Sequence, residues 1–250
     1  MGWLSFNGIS TQEIPGVEVS VMPSHKRAEM RYTEFYVNGR DGALHIDNGL
    51  SNMELKAKLV LIDAPAETRQ VVNAWLRGSG KLILSDDPTK CYRASVRSEV
   101  RWSRVPGNQG YFDTVDVSFD CEPYMYETVE TPLILDQYDE QTPVNMIADV
   151  YNPGSDVALP LIEIEGYGGA SVEIRRSKTD PIITKLTITG IPAYWIDKVH
   201  LDCESGYAYS EGNASLTLTG DFPEIPVGNS VIIFSSDVLR AKILWHWRWI

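Results

Sequence analysis

The 250-residue chain is 43% hydrophobic and 22% charged, the balance of a globular protein with a packed core, which excludes disorder. Residues 1–128 hold 14 basic and 17 acidic side chains (14 − 17 = −3) and the remainder 8 and 17 (8 − 17 = −9), which together give the net charge of −12. That balance repels phosphate and disfavours direct nucleic-acid binding, though an acidic lining would let DNA pass without sticking.

No apolar run approaches the ~20 residues that span a bilayer. The opening MGWLSFNGIS lacks a basic segment ahead of an apolar stretch, so no secretory signal is predicted and the product is expected to stay in the cell that makes it. Short β-branched or alternating runs then follow one another: Val17–Met22, Glu54–Ile62, Lys81–Ser85, Tyr92–Val100 and Phe112–Pro123. In the last of these, Val115, Val117, Phe119 and Cys121 fall opposite to Phe112, Thr114, Asp116, Ser118 and Asp120, the period-two pattern of a half-buried strand. The turn Gly39-Arg40-Asp41-Gly42 suits a hairpin, because its glycines accept positive φ and Asp41 can bond the local backbone. One segment has helical spacing. Pro65 stands near its start and Glu67 in its first turn, Val71, Val72, Trp75 and Leu76 recur on one face, and Gly78 stops it.

A domain boundary is predicted within 128–152: the stretch from 128 to 160 holds four prolines and many polar residues in place of sustained alternation, and the charge balance shifts there. Beyond it, Ala158–Tyr167, Ala170–Arg176, Ile183–Gly190, Lys198–Glu204, Ala214–Gly220 and Ser230–Phe234 again read as strands. The chain ends on Trp245, Trp247 and Trp249, alternating with His246 and Arg248. As a strand, this would send three indoles to one face and complete a sheet. The fold class is therefore mostly β with one helix.

No motif for catalysis, cofactor or metal binding stands out. GxSxG, HExxH, P-loop and GxGxxG patterns are lacking, and the four histidines have no short ligand spacing. Asp86-Asp87-Pro88 reads as a turn. Cys91, Cys121 and Cys203, far apart and without a CxxC pair, read as small buried hydrophobes. Trp195, Tyr207 and Tyr209 could stack on a sugar ring, which makes a carbohydrate-binding β-sandwich module for host cell-wall adhesion the alternative function.

Several segments, taken in order, resemble the distal tail (Dit) protein family of long-tailed phages and prophages of Gram-positive bacteria. They are FNGI (6–9), VNGRDGAL (37–44), NAWL (73–76), KLILSDDPTKCYRASV (81–96), FDCEPYMY (119–126), YNPGSDVALPLIEIEG (151–166), GDFPEIPVGNS (220–230) and the terminal Arg248-Trp249. The resemblance implies a ring-forming β-sandwich-type domain with one helix (1–130) and a galectin-like jelly-roll β-sandwich (131–250). It implies a homo-hexamer in the virion tail, made in the host cytoplasm, that joins the tail tube protein to the baseplate or tail tip while DNA passes through. Expected partners are the tube protein and the tail-tip, lysin or receptor-binding proteins. No enzymatic activity, cofactor, membrane contact or specific nucleic-acid binding is implied. The Gly39–Gly42 hairpin is the candidate for contacts between subunits.

Overall fold

The computed structural model describes residues 2–62, 64–65, 67–97, 99–107, 110–137, 144–194 and 196–250, without the side chains of 110 and 111. The chain divides into two compact units, Met1–Thr128 with Ile250, and Val129–Trp249.

The first unit contains β1 (Leu4–Phe6), β2 (Ile9–Ser10), a 3-10 turn (Thr11–Glu13), β3 (Val17–Val21), β4 (Met30–Tyr36), β5 (Ala43–Leu50) and β6 (Met53–Leu61). Helix α1 (Thr68–Trp75) follows, then β7 (Gly78–Leu84), β8 (Lys90–Val96), β9 (Arg101–Gly107) and β10 (Gly110–Glu127). Eight strands form one antiparallel sheet in the order β2-β1-β7-β8-β10-β6-β3, with β9 added on β10, while β4 and β5 form a separate two-stranded sheet. Period-two alternation accounts for the core. Val115, Val117, Phe119 and Cys121 of β10 pair with Leu59, Ala57, Leu55 and Met53 of β6, and all eight are buried. Phe119 also packs against Phe6, with ring centroids 5.3 Å apart.

Eight residues is too short for a helix to persist alone, so α1 depends on what it covers. Val72, Trp75 and the adjoining Leu76 enter the core, and the Trp75 indole N–H donates to the Phe6 carbonyl at 2.9 Å. Val71 departs from the expectation: it is 49% exposed, because the buried stripe passes through Thr68, Val72 and Trp75 at i, i+4 and i+7. Arg69 pairs bidentately with Asp113 of β10, and Trp102 of β9 donates to Asn73 at 2.9 Å. The Arg69 hydrogen bond holds the Asp113 carboxyl below the usual carboxylate range.

The second unit is a sandwich of two five-stranded antiparallel sheets. One has the order β11 (Leu133–Asp136), β20 (Val238–Leu244), β13 (Leu161–Gly166), β16 (Asp197–Asp202) and β17 (Tyr207–Ser210). The other has β12 (Met146–Asn152), β19 (Gly228–Phe234), β14 (Gly169–Arg175), β15 (Ile182–Thr189) and β18 (Thr217–Gly220). Ile162, Ile164, Val199, Leu201 and Ile243 from the first meet Val172, Ile174, Leu186, Ile188, Ile232 and Phe234 from the second in one core. Asn152 is fully buried, yet every polar atom of its amide has a partner: it donates to the carbonyls of Asp156 and Ile225 and accepts from the Gly154 N–H.

Two expectations change here. The weakly patterned stretch 128–152 carries β11 and β12. These are edge strands, and Ile134 and Ile147 face outward, which blurs the alternation. The predicted strand over Trp245, Trp247 and Trp249 is not formed, since β20 stops at Leu244 and His246 adopts φ +50°, which breaks the extended backbone. The indoles still serve the core. Trp245 and Trp247 stack at 5.1 Å, Trp247 is buried, and Trp249 packs against the same cluster.

Candidate functional site

The feature most unlike a self-contained domain is the β4–β5 hairpin. Its register pairs Tyr32 with Asp47, Thr33 with Ile46, Glu34 with His45, Phe35 with Leu44 and Tyr36 with Ala43. The connection spans Val37 to Gly42, with Gly39 at φ +83° and Gly42 at φ +79°, values that glycine reaches without strain. The sequence reading thus named the tip of the arm, and the strands behind it carry the chemistry.

Alternation gives the arm two unlike faces. On one, Phe35, Leu44 and Ile46 surround Thr33, and the three apolar side chains are 48%, 40% and 53% exposed. On the other, Tyr32, Glu34 and Tyr36 lie across from Asp47, His45 and Ala43. Tyr32 meets the His45 ring edge-on at 5.0 Å, and the Tyr36 hydroxyl donates to Glu34 at 2.8 Å. All seven residues of β4 are exposed, and among the described residues only β5 pairs with it. A two-stranded hairpin is marginal on its own, and a contiguous apolar face left in water marks an interaction surface.

The aromatic candidates divide. Trp195 lies outside the described residues. Tyr207 and Tyr209 stand on the edge strand β17, their rings 6.1 Å apart, and Tyr209 stacks on His200 of β16 at 4.6 Å and 11°. Pairing of His200 with Tyr209 in the ladder brings the rings together, and Glu211 fixes the imidazole through a 2.8 Å contact to Nε2. Sequence spacing could have flagged the two tyrosines at i and i+2, but not the histidine across the ladder.

One polar chain escaped the sequence reading. His25 contacts the Tyr92 hydroxyl through Nδ1 (2.7 Å) and Asp86 through Nε2 (2.8 Å), linking positions 61 and 67 residues apart. The arrangement resembles a relay but offers no ready nucleophile, because burial pushes the Tyr92 hydroxyl up to about 12. Asp87 and Pro88 form the expected turn, with Asp87 Oδ1 accepting from the Thr89 N–H at 3.3 Å. Cys91, Cys121 and Cys203 are all buried. Among the described residues no group of His, Cys, Asp and Glu could hold a metal, and no helix is long and apolar enough to cross a membrane.

No protein-family model and no curated protein matches this sequence. Solved structures do. The crystal structure of the phage SPP1 Dit protein, described as a paradigm of the hub adsorption apparatus in Gram-positive-infecting phages, aligns with a TM-score of 0.65 at 12% identity, covering 97% of each chain. The fold is that of a phage distal tail protein. Chains of the phage P2 baseplate in its activated conformation, with Ca and with Sr, align at TM-score 0.51 and 11% identity, again over 97% of each chain. At such identity the distal tail fold is shared, and the roles of individual residues must be argued from this chain itself.

Proposed function

We propose that this chain is a structural subunit of a phage tail, a distal tail hub that closes into a hexameric ring. The ring would join the tail tube protein to the baseplate or tail tip, with its C-terminal sandwich as a galectin-like outer domain. The β4–β5 arm carries this reading. Its uncovered Phe35, Leu44 and Ile46 face is an interface without a partner, and pairing the arm with a neighbouring copy would cover that face and its open strand edges. The full-length likeness to hub and baseplate proteins supports the same role. The net charge of −12 suits a channel through which DNA slides without adhering. On this reading the chain has no catalytic activity of its own; lysis and receptor binding fall to neighbouring tail proteins, and the product of host cytoplasmic synthesis ends in the virion tail.

Native mass measurement and electron microscopy at high concentration, alone and with tube and tip proteins, test the assembly. A ring of six is expected, and Phe35→Asp combined with Ile46→Asp should abolish it while leaving the monomer folded. A strictly monomeric protein under every condition, tail partners included, would refute the hub.

A second reading, carbohydrate binding by the sandwich, is favoured by the His200, Tyr209 and Tyr207 ladder. Its test is a glycan array on which Tyr209→Ala removes binding from a folded protein. No binding to any cell-wall saccharide would end it.

A further inference from the structure

Val150 and Ile232 point into the sandwich core, so their neighbours Asp149, Tyr151 and Asn229 face away from it. On that outer side a cavity of 530 Å³ opens between β12, β19 and the turn that follows β14. Its wall includes Arg176, Ser177, Lys178 and Thr179 of the turn, and Asp149 and Tyr151 of β12. The Tyr151 side chain is 65% exposed, and the Ser177 and Thr179 hydroxyls lie 3.3 Å apart. Ser230 also borders the cavity but, paired with Val150 and in phase with Ile232, it turns its hydroxyl toward the sandwich core.

Charge separates this cavity from the rest of the unit. Residues 129–250 carry a net −9, and Arg175, Lys185, Lys198, Arg240 and Lys242 each lie within ion-pair distance of a carboxylate. Arg176 and Lys178 do not: no described carboxylate comes within 4.0 Å of either. The Arg176 Nη1 instead donates to the carbonyls of Val227 (2.9 Å) and Asn229 (3.3 Å), which fixes the guanidinium at the cavity mouth. Two unpaired cations on one turn of an acidic domain, beside two hydroxyls, form a built anion site. The cavity is also too large for an anion alone, since volumes of about 300–1,000 Å³ take small organic ligands, and an exposed tyrosine ring is a surface on which a sugar can stack.

We propose that this cavity binds a phosphorylated saccharide. Arg176 and Lys178 hold the phosphate with the Ser177 and Thr179 hydroxyls, Tyr151 stacks on the sugar ring, and Asp149 accepts a hydrogen bond from a sugar hydroxyl. The inference does not depend on ring formation.

The test is an NMR titration of the full chain with glucose 1-phosphate, glucose and inorganic phosphate in low salt. Glucose 1-phosphate should shift the amides of residues 176–179 and 229–231, bind at least about tenfold more tightly than either fragment, and weaken as salt is added. Lys178→Glu should lose binding about tenfold or more, and Tyr151→Ala should reduce glucose 1-phosphate to the level of inorganic phosphate. Both positions are exposed, so the spectrum away from the cavity should be unchanged. Equal affinity for inorganic phosphate would overturn the saccharide, and equal affinity for glucose would overturn the phosphate. Absence of shifts at millimolar ligand, or undiminished binding by Lys178→Glu, would overturn the site.

Discussion

The β4–β5 arm and the C-terminal sandwich use the same device, antiparallel strands with apolar residues at alternate positions, and reach opposite ends. In the sandwich, Ile162, Ile164, Val172, Ile174, Ile232 and Phe234 are all fully buried, because each sheet supplies the layer that covers the other. In the arm, Phe35, Leu44 and Ile46 share a face just as regularly and remain about half in water, because no described layer lies over them. Alternation orients side chains; a second layer buries them. On the hub reading proposed above, the arm's second layer would come from another molecule, which is how a subunit of an assembly differs from a free-standing domain.

The largest expected effect tests the self-contained side of this contrast. Deleting Trp245–Ile250 removes the stacked Trp245 and Trp247 and the packed Trp249 from the sandwich core, more than the roughly 3–5 kcal/mol that a single buried aromatic contributes. Hydrogen exchange should then show lost protection across β13, β16, β19 and β20, with β6 and β10 still protected. Unchanged protection of the sandwich would show that the terminal indoles are ornamental to it. A smaller effect contrasts two phenylalanines. Phe234→Ala should lower monomer stability by about 3–5 kcal/mol, whereas Phe35→Ala should stay within about 0.5 kcal/mol. If urea unfolding gives Phe35→Ala a comparable loss, the arm is covered within its own chain and the contrast fails.

Much of the architecture was legible because local rules met no opposition. The alternation of Val115, Val117, Phe119 and Cys121 names a strand and its buried face, and the spacing of Val72, Trp75 and Leu76 names the helix. The failures have separate physical causes. Val71 reads as core on a helical wheel, but eight residues bury only a narrow stripe. The C-terminal alternation of Trp245, Trp247 and Trp249 suggested a strand, and a single left-handed residue, His246, ends it. The arm's turn was readable from its glycines, whereas the exposure of Phe35, Leu44 and Ile46 was not, since pattern records which residues share a face and not what covers it. Contacts across the ladder were invisible for a related reason. His200 and Tyr209, His25 with Asp86 and Tyr92, and the cavity wall of Tyr151, Lys178 and Ser230 are each joined only by strand pairing or chain return.

The smallest expected effect uses two of the three buried thiols, Cys121 of the first unit and Cys203 of the second, as probes of cores that close without help. Burial pushes the thiols of Cys121 and Cys203 up to about 12, from 9.0 when solvated. Below pH 9 the thiols are protonated in folded and unfolded chains alike, and stability is fully present. Above it the unfolded chain releases protons that the folded chain retains, so stability falls as pH rises from 9 towards 12. The loss should reach roughly 1 kcal/mol per thiol by pH 10. Tyr92, raised from 10.0 to about 12 by the same desolvation, extends the decline at its upper end. Urea midpoints for the native protein and for Cys121→Ala with Cys203→Ala, compared at pH 8 and pH 10, read this directly. The double variant should lose a little stability at pH 8 and show a shallower alkaline slope. Equal slopes would mean that water reaches both thiols in the folded chain, and the two cores would then be less closed than their packing implies.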